Sequence, residues 1–271
     1  MALTDGRGRR AVGTVGMAGR RVFEVRVDEV DAVARPAPRL TVVQGLPKSD
    51  RGERAVEVLT EIGVDEIVPW SAARSVAVWK GDRVEKGLAR WRATAREAAK
   101  QARRTWFPTV TDLATTRAVA ERVAAAPAAY VLHEGAAAAL AAVAEEPGDP
   151  PEELLLVVGP EGGVTPEELA AYVDAGARAV RLGPEVLRTS TAGLAAAAAL
   201  LARTPLALIR HNLADPAEVR VDPAQPRRSG RSSRPRAPEL LPDQRTVNCL
   251  ESSVGAGPSP PEGSSVRAMK V

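Results

Sequence analysis

The stretch that points most directly to the fold class is residues 157–168, with the sequence VVGPEGGVTPEE. Two valines end an apolar run, a glycine-rich loop follows, and the loop leads to Thr165, a residue type that caps helices. Pro166 suits the first helical position, and Glu168 stands three residues after Thr165, as a capping box requires. The stretch therefore predicts a buried strand, a glycine-rich loop and the start of a helix.

A second stretch of the same kind lies at residues 182–192, with the sequence LGPEVLRTSTA. Loops that follow parallel strands meet at the carboxyl edge of the sheet, where open α/β folds bind ligands. Paired glycines let a ligand approach main-chain amides, although neither a GxGxxG nor a P-loop pattern is present. Two explanations stay open on these residues alone. Either the loops form a ligand site, or they are tight turns whose hydroxyls only cap helices.

The remaining chain divides into three parts. Residues 1–36 read as a small β domain, and residues 40–203 alternate strands with helices, which predicts an α/β domain with a mainly parallel sheet. Residues 205–271 contain 10 Pro, 4 Gly and 8 Ser, so we expect a mostly disordered tail. Within the α/β part, we expect helices over 49–62, 83–106 and 166–175, and an alanine-rich helix ending near residue 203.

The composition excludes several classes of protein. A single cysteine, Cys249, leaves no internal disulfide framework or cysteine-based zinc site, and two histidines leave little for a histidine-rich metal site. No apolar run approaches the ~20 residues that span a bilayer, and the first residues do not read as a signal peptide. We therefore expect a cytoplasmic protein with no metal and no membrane span.

The net charge of +3 conceals a concentrated basic segment. Residues 74–104 carry 10 basic and 3 acidic residues, a net of +7, whereas residues 105–204 carry 6 and 13, a net of −7. On a helical wheel, Arg92, Arg96, Lys100 and Arg103 fall within roughly 80° of one another, since each residue turns about 100°. Such a stripe indicates contact with a nucleic-acid backbone, and a solvated charged face is the alternative.

Six strings of residues, taken in order over residues 40–203, resemble the RsmE family of small-subunit rRNA uridine-N3 methyltransferases in the SPOUT superfamily. They are Gln44 to Lys48, Thr60 to Val64 with Ile67 to Pro69, Arg74-Ser75, Glu97 to Gln101 with Arg104 and Pro108, Gly159 to Gly163, and Leu182 to Pro184 with Leu187 to Thr189, Thr191 and Ala192.

The resemblance implies methylation of uridine N3 in 16S rRNA of the small ribosomal subunit, with S-adenosylmethionine as cofactor. It also implies a SPOUT-type α/β fold with a C-terminal trefoil knot, a homodimer, and a PUA-like barrel for RNA binding. This chain begins in the middle of that barrel, at Leu3-Thr4-Asp5-Gly6, so we expect an incomplete barrel over residues 1–36.

The same resemblance, read with the loops above, gives candidate site residues. For the cofactor they are Leu132, Gly159, Glu161, Gly162, Gly163, Leu182, Gly183, Leu187, Thr189 and Thr191. For the RNA they are Lys48, Arg74 and the stripe Arg92, Arg96, Lys100 and Arg103. For catalysis we expect Arg188 or Arg104 to hold the uracil, and Glu161 either to accept a proton or only to brace its loop.

Two other functions remain compatible with the sequence. One is a different SPOUT specificity, such as tRNA 2′-O-methylation. The other is a non-catalytic RNA-binding or ribosome-assembly protein, which the basic segment and the shortened barrel would also suit.

Overall fold

A computed structural model of the chain describes residues 1–18, 22–144, 151–202, 247–248 and 265–269. The strands in this part of the chain form two sheets. In chain order the elements are β1 (Ala2–Thr4), β2 (Arg9–Ala18), β3 (Val22–Ala32), β4 (Arg39–Gly45), α1 (Arg51–Ile62), β5 (Glu66–Trp70), α2 (Asp82–Gln101), β6 (Thr109–Val110), α3 (Thr116–Ala125), β7 (Ala128–Leu132), α4 (Leu140–Ala144), β8 (Glu153–Val158), α5 (Pro166–Asp174), β9 (Arg178–Val180), α6 (Thr189–Leu201), β10 (Val247–Asn248) and β11 (Ser265–Met269).

The larger sheet has the strand order β6-β5-β4-β8-β7-β9, and every neighbouring pair in it is parallel. Its central strands are continuous apolar runs, as strands covered on both faces require. Trp91 of α2 and Ala196 of α6 belong to the cluster on one face, with α1, and Val119 of α3 and Tyr172 of α5 belong to the cluster on the other. The prediction of an α/β domain with a mainly parallel sheet is confirmed.

The helix expected over residues 83–106 is shorter than predicted, since α2 ends at Gln101 and Arg103 has a left-handed backbone with φ 54°. The cause is tertiary. The Gly8 N–H donates to the Thr105 carbonyl at 3.1 Å, and the Phe107 N–H donates to the Gly6 carbonyl at 2.9 Å. Residues after the helix therefore pair with the first β domain instead of continuing the helix.

The smaller sheet has the strand order β10-β1-β2-β3-β11, and its β1–β2, β2–β3 and β3–β11 pairs are antiparallel. Strands β10 and β11 belong to the range predicted as a mostly disordered tail, and the rest of residues 205–271 lies outside the described part of the chain. Among the helices described, none is both long enough and apolar enough to cross a bilayer.

Candidate active site

A cleft of about 410 Å³ lies at the carboxyl edge of the parallel sheet, where β7, β8 and β9 end at Leu132, Val158 and Val180. Its walls are the two loops singled out in the sequence, residues 159–164 and 181–188, with the start of α6. Parallel α/β sheets bind ligands at this edge. The cleft is therefore a ligand-binding site by position, and its volume is within the range of small-molecule sites.

Close backbone contacts hold the glycine-rich loop in place. A side chain at position 45, at the end of β4, would place its Cβ 2.7 Å from the Pro160 nitrogen, so only glycine fits there. The Thr189 hydroxyl, at the start of α6, donates to the Gly159 carbonyl at 3.1 Å. The loop after β8 is thus fixed from both the β4 side and the α6 side.

Glu161 joins the same loop to the start of α1. Its carboxylate accepts the Lys48 N–H, at 3.2 Å from each oxygen, and its Oε1 lies 3.3 Å from Nη1 of Arg51. Both oxygens therefore already accept a hydrogen bond from the segment that leads into α1. The contacts therefore favour the bracing role for Glu161 over proton acceptance.

Nine of the ten residues predicted for the cofactor line the cleft. They are Leu132, Gly159, Glu161, Gly162, Gly163, Leu182, Gly183, Leu187 and Thr189. The tenth residue, Thr191, does not line the cleft. It follows Thr189 by two residues on α6, and two residues turn a helix by about 200°, so its side chain faces away from the cleft. The Thr191 hydroxyl instead donates to the Arg188 carbonyl at 3.2 Å.

Arg188 lies in the cleft wall as the residue before the first turn of α6, with extended backbone angles. Its side chain is exposed, and within the described residues its guanidinium has no ion pair or hydrogen bond. The positive charge is therefore available to a ligand in the cleft.

Arg104, the other candidate for holding the uracil, lies away from the cleft of its own chain. Its side chain is 12% exposed, and Nη1 donates to the Thr60 carbonyl at 2.9 Å and to the Val64 carbonyl at 2.6 Å. These carbonyls precede β5, at the amino edge of the sheet, opposite to the cleft. Arg104 therefore supports the fold of its own domain and does not reach the cleft of its own chain.

Asp65 is the acidic partner of Arg104, with Oδ1 3.8 Å from Nη2. Its carboxylate is 4% exposed and accepts the Leu40 N–H at 3.1 Å. Burial raises the pKa of Asp65, while the charges of Arg104 and Arg35 oppose this rise. Burial lowers the pKa of Arg104, while the charge of Asp65 opposes this decrease. The pair is a buried structural cluster.

The basic stripe on α2 is only partly free. Arg92 donates to Asp112 at 2.8 Å and to the Val110 carbonyl, and Lys100 is 12% exposed and lies 2.7 Å from Glu97. Arg96 and Arg103 are exposed and have no ion pair among the described residues. Two of the four cations are thus without an ion pair among the described residues, Arg96 on α2 and Arg103 just after its end.

Lys48 and Arg74 lie beside the cleft. Lys48 is exposed on the loop after β4, and the Arg74 guanidinium is 3.4 Å from the Gly162 carbonyl on the glycine-rich loop. Four residues that are not among the predicted site residues also line the cleft, namely His133, Glu134, Arg181 and Glu185. The sequence feature that could have identified two of them is their position, because His133 and Arg181 directly follow strands β7 and β9. The described residues contain no group of three or more His, Cys, Asp or Glu that could hold a metal ion.

The fold and the cleft define an α/β protein with a small-molecule site at the edge of a parallel sheet, and comparison with known proteins gives the family. The model of the RNA methyltransferase domain matches residues 35–201. The chain is 50% identical over 204 residues to the ribosomal RNA small subunit methyltransferase E of Mycobacterium bovis, covering 74% of this chain and 77% of that relative. It is 32% identical over 173 residues to the methyltransferase of the same name from Bacillus subtilis, covering 62% and 67%.

A solved structure is similar as well. It is the ribosomal RNA small subunit methyltransferase E of Neisseria gonorrhoeae bound to S-adenosyl methionine, with a TM-score of 0.65 and 28% identity, covering 74% of this chain and 82% of that one. The chain belongs to the RsmE family of ribosomal RNA small subunit methyltransferases.

Proposed function

We propose that this protein transfers the methyl group of S-adenosylmethionine to N3 of a uridine in 16S rRNA of the small ribosomal subunit. The observation that carries the proposal is the cleft at the carboxyl edge of the sheet, which brings the glycine-rich loop together with Arg188, whose guanidinium has no partner within the part of the chain that the structure describes. Family membership supplies the substrate class and the cofactor.

The residues of the cleft fit S-adenosylmethionine. Leu132, Leu182 and Leu187 offer apolar surface to an adenine ring, and the backbone of residues 159–163 and 182–187 offers polar groups. Gly163 has φ +75° and no atom within 4 Å of where a Cβ would be, so the loop leaves open space that a side chain would fill. Bound there, S-adenosylmethionine supplies a methyl group on a sulfonium centre for in-line displacement.

The chain's own contribution is to align the reactants and to manage charge. Arg188 would hold the uracil by its carbonyl oxygens, and its cation would favour the form in which N3 has released its proton to solvent water, so that N3 can take the methyl group and S-adenosylhomocysteine can leave. Glu161 would keep the glycine-rich loop in register with the start of α1.

The rRNA backbone would be held by exposed cations on two surfaces. Lys48 and Arg74 stand beside the cleft and would contact phosphates flanking the target uridine. Arg96 on α2 and Arg103 just after the end of α2 lie outside the cleft lining and would contact a more distant part of the RNA. Such contacts give affinity without reading sequence.

The proposal extends to the architecture that the family implies. The chain would form a trefoil knot in the C-terminal part of residues 40–203, and residues 1–36 would belong to a PUA-like barrel that binds RNA. It would work in the cytoplasm as a homodimer. Val186 is 80% exposed and Leu187 42% exposed at the rim of the cleft, which supports a partner subunit packing there.

The experiment that tests the function is transfer of radiolabelled methyl groups from S-adenosylmethionine to purified 30S subunits that lack the modification. We expect label in 16S rRNA that depends on the protein, and no label in equimolar tRNA. Binding of S-adenosylmethionine without any transfer would support a non-catalytic RNA-binding protein instead.

Replacing Gly162 by alanine should weaken binding of S-adenosylmethionine by about tenfold, which corresponds to roughly 1.4 kcal/mol. The new Cβ would lie 2.7 Å from the Arg74 carbonyl oxygen, so the loop must move away from the wall that supports it. Titration calorimetry measures the change. The control is Gly16→Ala in β2, where the nearest atom lies at 3.9 Å, and equal affinities for both variants would contradict the expectation.

The double variant Arg96→Ala/Arg103→Ala should bind 16S rRNA about tenfold more weakly, and the slope of log K against log salt should fall by about 2, since each phosphate contact contributes about 1. Fluorescence anisotropy at several salt concentrations measures both quantities. The matched control is Lys100→Met, which removes a covered charge from the same helix and should leave the slope unchanged. An unchanged slope in the double variant would exclude this surface from RNA binding.

A further inference from the structure

Glu168 carries more contacts than its capping box needs. It is the third residue of α5, it is 4% exposed, and its Oε2 accepts the Thr165 N–H at 3.1 Å, which is the capping contact. Its Oε1 accepts two further hydrogen bonds, from the Ala73 N–H at 2.8 Å and from the Thr116 hydroxyl at 3.0 Å. A buried carboxylate that accepts hydrogen bonds from three separate segments connects those segments.

The segment held through Ala73 is the outer wall of the glycine-rich loop. Arg74 follows Ala73 directly, and its carbonyl oxygen lies so close to Gly162 that an added Cβ would be at 2.7 Å. The Arg74 guanidinium also donates toward the Gly162 carbonyl at 3.4 Å. The position of this wall relative to the loop therefore depends on where the Ala73 backbone is held.

The hydrogen bond to Thr116 connects Glu168 to the hydrophobic core. The Trp70 indole N–H lies 3.2 Å from the Thr116 hydroxyl oxygen, and Trp70 is fully buried at the end of β5. Trp70 packs edge-to-face on Tyr172 of α5, with ring centroids 5.5 Å apart. One side of Glu168 is thus anchored to rigid elements, and its other side reaches the loop wall.

We infer that Glu168 is a positioning residue of the cofactor site, which sets the affinity for S-adenosylmethionine by clamping segment 73–74 against the glycine-rich loop. The inference rests on the proposed function, because Glu168 would keep the proposed cofactor cleft in the conformation that binds S-adenosylmethionine. Glu168 itself does not line the cleft, so it acts through the Ala73 and Thr165 backbones.

The test is the variant Glu168→Gln, in which one oxygen becomes an NH₂ group that must face a donor N–H at either Thr165 or Ala73. We expect the Kd for S-adenosylmethionine to rise about tenfold, as for loss of a hydrogen bond to a buried charged group. We expect KM for the cofactor to rise with it, while kcat at saturating cofactor and KM for 30S subunits stay within about twofold. Thr116→Val should give a smaller rise, and Thr116→Ser should restore the wild-type Kd.

Titration calorimetry separates the possible outcomes. Glu121→Gln, on the exposed face of α3, is the control and should leave Kd unchanged. A lower stoichiometry with an unchanged Kd for Glu168→Gln would show a purely structural role and overturn the inference, as would a wild-type Kd at full stoichiometry. Failure of the proposed function is distinguishable, because in that case the wild-type protein itself would not bind S-adenosylmethionine.

Discussion

Arg188→Ala should lower the rate of methyl transfer to 30S subunits by about a hundredfold at neutral pH, the usual cost of removing one charge-stabilising donor. Arg188 is exposed at the start of α6 and unpaired among the described residues, so its cation can meet the uracil carbonyls. The affinity for S-adenosylmethionine should stay within about threefold, because the cofactor residues lie on the loops and not on this guanidinium. Single-turnover kinetics with saturating cofactor gives the rate, and calorimetry gives the affinity.

The pH profile of the same variant gives a second readout. A cation beside the uracil lowers the pKa of its N3–H group, so removing Arg188 should move the rise of rate with pH to higher pH. Arg188→Lys should recover part of the rate, because it keeps the charge but not the planar fork. The matched control is Arg117→Ala on the exposed face of α3. A wild-type rate for Arg188→Ala, or a loss explained entirely by weaker cofactor binding, would remove Arg188 from this role.

Arg104→Ala should lower the free energy of unfolding by about 3–5 kcal/mol, the cost of removing one partner of a buried ion pair. The change leaves Asp65 with Arg35, at 3.8 Å, and the influence of Arg39, and it removes the donor from the Thr60, Val64 and Trp106 carbonyls. Urea denaturation at pH 7 measures it, with Arg96→Ala, an exposed arginine on α2, as the control. A loss below about 1 kcal/mol together with a large loss of methyl transfer would contradict this assignment and return Arg104 to the catalytic site.

The loss caused by Arg104→Ala should shrink as the pH falls. Burial already raises the pKa of Asp65, and removing Arg104 takes away the largest cationic influence that opposes the shift. A carboxyl whose folded pKa is raised contributes stability below its unfolded pKa, and this contribution disappears as the pH rises through the folded pKa. The difference between variant and wild type is therefore expected to be smaller at about pH 4.5 than at pH 7. A constant difference would mean that Asp65 does not carry the effect.

Local sequence patterns were sufficient to identify the two loops that line the cleft. Thr165, Pro166 and Glu168 form a capping box that the structure contains, because such contacts span only three residues. Each loop directly follows a strand in the sequence, and for this reason both loops could be assigned to the same edge of a parallel sheet. The second function of Glu168 was not accessible, since its Ala73 partner is 95 residues away in sequence.

The errors at residues 100–104 have a common cause. A helical wheel gives the direction of a side chain but not what packs over it. The wheel therefore presents Lys100 as available, although the side chain is covered and paired with Glu97. The wheel also assumes that the helix continues. Pairing of Gly8 with Thr105 ends it early, and the turn at Arg103 takes Arg104 into the protein.

The most direct measurement of the central claim is nucleoside mass spectrometry of 16S rRNA after incubation of unmodified 30S subunits with this protein and S-adenosylmethionine. We expect one additional methyl group, located on the uracil base at N3 of a single uridine. A methyl group on ribose, or on tRNA in place of 16S rRNA, would contradict the claim, as would unmodified rRNA from a protein that binds the cofactor.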